Sequence, residues 1–283
     1  MAELFIELFS EEIPSKLQID ARKKIKEIID QKLKKKEINF KSSKSFSTPK
    51  RLVFFIEGIP EKIEQKKKII KGPSVKAPQE ALDGFIKSNN LNKSDVYKKN
   101  LEKGEFYFAE TKLKVIDVSK ELQSIIPEAL QSYSWKKSMK WSVYDLDWGR
   151  PLKSIIALFN NEVVNFNFFH LQSSDLTLVD GTNENKIKKI NSFKTYLSVL
   201  KSQNIILDQE KRKKIILKKM NNICNARNLK NNFNEKLIEE VVNLVEKPNV
   251  IVGKFDEIYL KIPQEILIVT MQQHQKYFPL FEN

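Results

Sequence analysis

Residues 3–9 read Glu-Leu-Phe-Ile-Glu-Leu-Phe, and this run, together with the sixty residues after it, limits the fold more than any other feature. The run is a predicted strand. Ser10-Glu11-Glu12-Ile13-Pro14 comes next, and then Leu17, Ala21, Ile25, Ile28 and Ile29 at helical spacing, so a helix is predicted to about Lys36. Ser15 and Gln18 have the spacing of a capping box. Ser47-Thr48-Pro49-Lys50-Arg51 separates two extended runs, 39–46 and 52–58, and a third run, 61–71, ends at Gly72-Pro73. A β-α-β-β-β opening calls for an antiparallel sheet packed on a helix, and the predicted fold class is α+β.

Further along, Pro78 opens a short helix with Ala81, Leu82, Phe85 and Ile86 inward, and residues 104–115 form a strand pair or one long strand. Val118, Leu122, Ile125, Ile126, Ala129 and Leu130 keep helical register, although Pro127 within it should kink or break the helix. Residues 155–159 and 163–169 are strands joined by Asn160-Asn161, a hairpin turn. The polar stretch 173–190 is the best domain boundary. It divides an α+β domain at 1–175 from a helix-rich α+β region at 176–283, with helices at about 192–202, 208–226 and 234–247. Pro248 stops the last helix. Val250–Val252 then suits a buried strand, and Pro263 starts a helix with Ile266, Leu267, Thr270 and Met271 on one face.

A chain of 283 residues can bury a substantial core, about 75% of its unfolded surface at this size. No segment is long and apolar enough to span a bilayer, and residues 1–9 lack the basic start and cleavage site of a signal peptide. Cys224, the single cysteine, can form neither an internal disulfide nor a cysteine-based metal site. A cytoplasmic protein is expected. The net charge is +14, yet all but five of the 50 cations are lysine, as AT-rich coding alone would produce. A lysine-rich surface attracts polyanions whatever its origin. The five arginines (Arg22, Arg51, Arg150, Arg212 and Arg227) are the more informative cations.

Chemistry is sparse in the sequence. There is no G-x-G-x-x-G and no P-loop, and His170 and His274 stand apart with no neighbouring histidine or cysteine. No catalytic residue, metal site or bound cofactor is expected. His170, after Phe168-Phe169, reads as structural, and Glu11-Glu12 as acids at a helix N-terminus. Two basic stretches stand out. Lys50 and Arg51 lie in a turn between strands; Lys136, Lys137 and Lys140 share a stretch with Trp135 and Trp141, and Arg150 is close behind. Cations interleaved with aromatics suit phosphate contact and base stacking, so Lys50, Arg51, Lys137, Lys140 and Arg150 are the nucleic-acid-binding candidates. The alternative is that the tryptophans are core and the lysines solvate the surface.

These stretches also carry a resemblance. Phe5-Ile6-Glu7-Leu8 with Ser10-Glu11-Glu12-Ile13-Pro14, Thr48-Pro49-Lys50-Arg51-Leu52, Lys71-Gly72-Pro73, Gly84-Phe85, Lys137-Ser138-Met139-Lys140-Trp141 and Arg150-Pro151 occur in the order of landmarks in the beta subunit of bacterial glycyl-tRNA synthetase. The series closes on Leu244-Val245-Glu246-Lys247-Pro248 and on His274, Gln275, Lys276, Tyr277 and Phe278, which resemble the family's Val-Glu-x-Pro and His-Gln-Lys-Tyr-Phe elements. One departure is the run 179–184, Val-Asp-Gly-Thr-Asn-Glu, where the family tends to carry Gly-His-Arg-Phe.

The resemblance implies the N-terminal portion of a longer polypeptide, without the family's HD-like and anticodon-binding regions. It implies an alpha-subunit partner that makes the adenylate from ATP and glycine. The beta subunit would then serve tRNA-Gly recognition and assembly into a heterotetramer of two alpha and two beta subunits. A free-standing basic RNA-binding module and a scaffold are the alternatives.

Overall fold

The computed structural model describes residues 2–65, 69–101, 104–110, 114–179 and 187–282. The chain opens with β1 (Ala2–Ser10), α1 (Ser15–Lys35), β2 (Ser42–Thr48) and β3 (Arg51–Ile59). Next come β4 (Lys62–Gln65), β5 (Ile69–Ser74), α2 (Gln79–Ser88), β6 (Val96–Leu101), β7 (Gly104–Glu110) and β8 (Lys114–Asp117). After α3 (Val118–Gln131) the strands are β9 (Leu152–Phe159), β10 (Glu162–Val163), β11 (Asn167–Phe168), β12 (Leu171–Ser174), β13 (Leu176–Leu178) and β14 (Ile187–Lys189). The C-terminal part holds α4 (Phe193–Ser202), α5 (Gln209–Arg227), β15 (Leu229–Asn231), α6 (Glu235–Val242), α7 (Gln264–Val269) and β16 (Leu280–Glu282). A π turn at Thr270–His274 continues from α7. This is the α+β class the sequence predicts.

The chain forms two units, 1–60 with 122–283, and an insert at 61–121. The main sheet of the first unit runs β11-β12-β9-β1-β3-β2, with β10 added beside β9. Its pairs are antiparallel except β12 with β9. Register puts Phe5 opposite Phe55 and Leu158, and Glu7 opposite Val53 and Ile156, on one face. That face packs against Tyr196 and Leu200 of α4 and against Ile205 and Leu207. Leu4, Ile6 and Leu8 point to the opposite face and are equally buried. Helix α1 packs on β2 and β3 through the stripe Leu17, Ala21, Ile25, Ile29 and Leu33. The Asn160-Asn161 turn forms as predicted, both residues taking the positive φ (49° and 68°) that a tight two-residue connection requires, but the strand expected at 163–169 is split into the short β10 beside β9 and β11 beside β12.

Several expectations are corrected. The division by contacts falls at 60/61 and 121/122 rather than at 175, and the described residues on either side of 180–186 lie in β12, β13 and β14, with β13 beside β9. Helix α3 is not broken at Pro127, because Ile125, Ile126, Ala129 and Leu130 are all fully buried. Their packing outweighs the single hydrogen bond a proline removes. Ser15 and Gln18 form no capping box; Gln18 Nε2 instead donates to the carbonyls of Ile13 (2.6 Å) and Asn243 (2.7 Å). The helix expected at 234–247 ends at Val242, where Asn243 turns its Nδ2 back to the Glu239 carbonyl at 2.8 Å. Val250–Val252 is not a strand. No strand lies beside it among the described residues, and Ile251 is 82% exposed.

The insert is built separately. β4 and β8 pair antiparallel, Lys62 opposite Asp117, so the chain enters and leaves along neighbouring strands. Beyond them β5-β7-β6 form a three-stranded antiparallel sheet, and α2 packs on β5.

Candidate nucleic-acid interface

The sequence candidates separate by burial. Arg51, at the start of β3, is 1% exposed. Its Nε donates to Glu7 Oε1 at 3.1 Å, its Nη1 to Glu246 Oε1 and its Nη2 to the Leu178 carbonyl. Thr48 Oγ1 donates to the same Glu246 oxygen, Tyr196 Oη donates to Glu7 Oε1 at 2.6 Å, and the guanidinium carbon lies 4.8 Å from the Phe9 ring centre. Burial drives the Glu7 carboxyl upward against the pull of Arg51 and Tyr196, and it holds the Tyr196 phenol well above its ordinary value. An arginine so enclosed and so fully paired cannot reach an RNA phosphate without the sheet opening. The structure therefore puts Arg51 in the core rather than on a binding surface.

Arg212 serves the interior too, and it is fully buried. It donates to the carbonyls of Val242 (3.0 Å), Ile206 (2.6 Å), Leu207 (2.8 Å) and Ser47 (2.7 Å). The half-buried Arg22 donates to Ser47 Oγ (2.9 Å) and Asn243 Oδ1 (3.2 Å). A guanidinium can satisfy several fixed carbonyls at once, which is why scarce arginines are used this way.

The strap Ser10–Ile13 bonds to the backbone at Pro49 and Lys50 and to that at Pro151, next to Arg150. The Ser10 amide donates to the Lys50 carbonyl (2.9 Å), that of Ile13 to Pro49 (2.7 Å), and that of Glu11 to Pro151 (2.9 Å). The strap's acids offset the neighbouring cations, Lys50 standing 3.9 Å from Glu12 and Lys153 2.5 Å from Glu11. Arg150 is half-buried, donates from Nη1 to the Gly149 carbonyl (2.7 Å), and has no carboxylate partner among the described residues.

The basic stretch after α3 forms a built loop. Met139 and Trp148 pair by two backbone hydrogen bonds of 2.8 and 3.2 Å, closing the base of residues 140–147. Beneath it Trp135 meets Trp148 edge-on at 5.1 Å, and Trp148 meets Phe168 at 5.6 Å. Gly149 is required here, since a Cβ would run into the Trp135 ring. Trp135 is thus core, as the alternative for the tryptophans has it. Trp141 is half-buried and edge-on to His170 at 5.9 Å, while Tyr144 stacks flat on that imidazole at 3.6 Å and 9°. Val143 projects at 93% exposure. Lys137 is exposed with no ion pair among the described residues, whereas Lys140 is held by Asp145 at 2.5 Å and Lys136 by Asp20 at 3.4 Å.

The result is a rigid-based loop offering lysines beside a tyrosine–imidazole stack. Such an arrangement can contact phosphates and a stacked ring. The Tyr144–His170 stack is invisible in the sequence, where 25 residues separate its members.

The C-terminal motif divides. Phe278 packs with Ile216, Met220, Ile238 and Val242, and Lys276, at φ 59°, reaches Glu240 at 3.1 Å. His274, Gln275 and Tyr277 are exposed. Among the described residues no group of three His, Cys, Asp or Glu side chains could hold a metal, and no helix is long and apolar enough to cross a membrane. Of the departing run, residues 180–184 lie outside the described residues.

Comparison with known proteins agrees with the ordered motifs. A family model described as the glycyl-tRNA synthetase beta subunit matches residues 4–283. The glycine–tRNA ligase beta subunit of Rickettsia typhi is 38% identical over 282 residues, and those of Rickettsia akari and Rickettsia prowazekii are 36% identical over the same length. Each alignment covers all of this chain and 42% of the relative, so the chain spans less than half the length of the curated relatives it matches.

Proposed function

Because this chain belongs to the glycyl-tRNA synthetase beta subunit family, we propose that it serves glycyl-tRNA synthesis as a supporting, non-catalytic part. In this reading an alpha subunit forms the adenylate from ATP and glycine, and this chain helps hold tRNA-Gly and the assembly, a cytoplasmic tetramer of two alpha and two beta subunits. ATP is consumed by the assembled enzyme, with no cofactor resident on this chain. The observation that carries the reading is the family match along the whole chain.

The loop within 136–150, with Lys137 and Lys140 exposed, supports a part in tRNA contact. Lys137, Lys140 and Arg150 are its phosphate-contact candidates, with Lys50 a further one on the segment the strap bonds to. Glycine charging of tRNA-Gly, measured with the alpha subunit alone and after adding the beta subunit, tests the proposal. Charging should depend on the addition; full charging by alpha alone, or ATP turnover with glycine by this chain alone, would overturn it. The charge of +14 also fits a free-standing RNA-binding module. That second reading predicts salt-sensitive RNA binding without any effect on charging.

A further inference from the structure

The insert at 61–121 carries sheets of its own. In the three-stranded sheet, cross-strand partners share a face. Tyr97 lies opposite Phe108, Lys99 opposite Phe106, and Lys71 opposite Phe108. One face therefore carries Tyr97, Lys99 and Leu101 from β6, Phe106 and Phe108 from β7, and Ile69 and Lys71 from β5. The other face is taken by α2: Phe85 packs over Gly72, where a Cβ would stand 2.9 Å from its ring.

The aromatic face is open and basic. Tyr97, Lys99, Leu101, Ile69 and Lys71 are all exposed. Lys71 Nζ sits 3.6 Å from the Phe106 ring centre, and Lys99 Nζ 5.9 Å from that of Phe108. Tyr97 and Phe108 lie nearly parallel, 6.2 Å apart at 26°. The insert carries 14 lysines against 10 acids, and among the described residues the acid on this face is Glu110, at its far end opposite Ile69.

We propose that this face binds an unpaired stretch of RNA, with bases stacking on Tyr97 and Phe106 and phosphates meeting Lys71 and Lys99. Flat rings on an open sheet accept splayed bases of any sequence, and two or three such rings commonly take as many bases. Phe108 is buried and supports the face from below, while the exposed Tyr97 and half-buried Phe106 are diagonal neighbours across β6 and β7, so two stacked bases can span that pair. Lysine ammoniums already poised over these rings need only swing aside to reach the backbone of a strand laid there. A duplex keeps its bases stacked on one another and cannot use the rings. The inference rests on RNA being this chain's ligand, but it names a surface that the loop at 136–150 does not include.

The test is fluorescence anisotropy with a labelled twenty-nucleotide RNA of mixed, non-self-complementary sequence, single-stranded or annealed to its complement, and the whole 283-residue chain. The single strand should bind more tightly than the duplex. Tyr97→Ala should weaken its binding about fivefold or more, the loss expected for one stacked base. Tyr97→Phe should restore it, and Lys71→Gln with Lys99→Gln should flatten the salt dependence. Equal binding of strand and duplex, or no change in Tyr97→Ala with an unaltered thermal melt, would overturn the assignment. Should Tyr97→Ala unfold the insert, the lysine pair decides, an unchanged salt slope refuting it. Charging with the alpha subunit is measured separately. Its failure beside intact oligomer binding would sink the supporting role and leave this surface standing.

Discussion

Arg51 and Glu246 are 195 residues apart in the chain, and their side chains are bonded in the interior of the first unit. The bond joins the start of β3 to the segment just beyond α6, and Glu7 and Tyr196 complete the cluster from β1 and α4. Elements from both ends of the polypeptide thus meet at one polar point beneath the main sheet. A charge cluster so enclosed is stable only while every member has its partner.

Arg51→Met should therefore cost about 3–5 kcal/mol of stability, because it strands the buried Glu7 and the Glu246 carboxylate together. Urea unfolding tracked by circular dichroism gives the value. A loss no larger than that of a typical surface substitution would show that Arg51 is not the keystone described.

Gly149→Ala should destabilise the chain by about 1–3 kcal/mol, since the new methyl enters the space of the Trp135 ring. The same substitution should shift tryptophan fluorescence, because Trp135 and Trp148 are both buried and in contact. The melting temperature and the emission maximum, recorded together, check this.

Tyr133→Phe removes the hydroxyl that donates to Asp20 at 3.0 Å. Burial alone would raise the Asp20 carboxyl, but the hydrogen bonds from Tyr133 and Lys136 outweigh it and hold the carboxyl below its usual 3.8. A depressed carboxylate stabilises the fold above its unfolded-state value, and that contribution is lost as pH falls through the folded-state value. The native chain should exceed Tyr133→Phe by on the order of 1 kcal/mol at neutral pH. The gap should close as the solution is acidified below pH 3.8, which a series of denaturation curves will show.

Lys137→Ala and Arg150→Ala should weaken tRNA binding by the complex with the alpha subunit, and each should flatten the log–log salt slope by about 1 if its cation meets a phosphate. Arg51→Met should leave that slope unchanged in whatever fraction remains folded. Filter binding across a salt series separates the two behaviours.

Much of this was legible in the order of residues. The β-α-β-β opening, the Asn160-Asn161 turn and helices α4 and α5 arise from local pattern, because periodicity and turn chemistry act over a few positions. What pattern could not carry was distance. Arg51 reads as a phosphate-contact candidate because its partners Glu7, Glu246 and Tyr196 come from distant parts of the chain that local pattern does not bring together. The polar run 173–190 reads as a linker because short strands with alternating polar residues lack the apolar signal of core strands. Val250–Val252 failed in the opposite sense. Its β-branched residues favour an extended chain, yet a strand needs a neighbour, and none is beside it among the described residues. Of the binding candidates, the sequence could rank cations by type but not by which side of the sheet they would face.

The pairing of Lys62 with Asp117 has a consequence for the history of such chains. A module joined through two adjoining strand ends can be inserted or removed while leaving the strand order of its host intact. The body that receives it already closes through Arg51 and Glu246, both outside the insert.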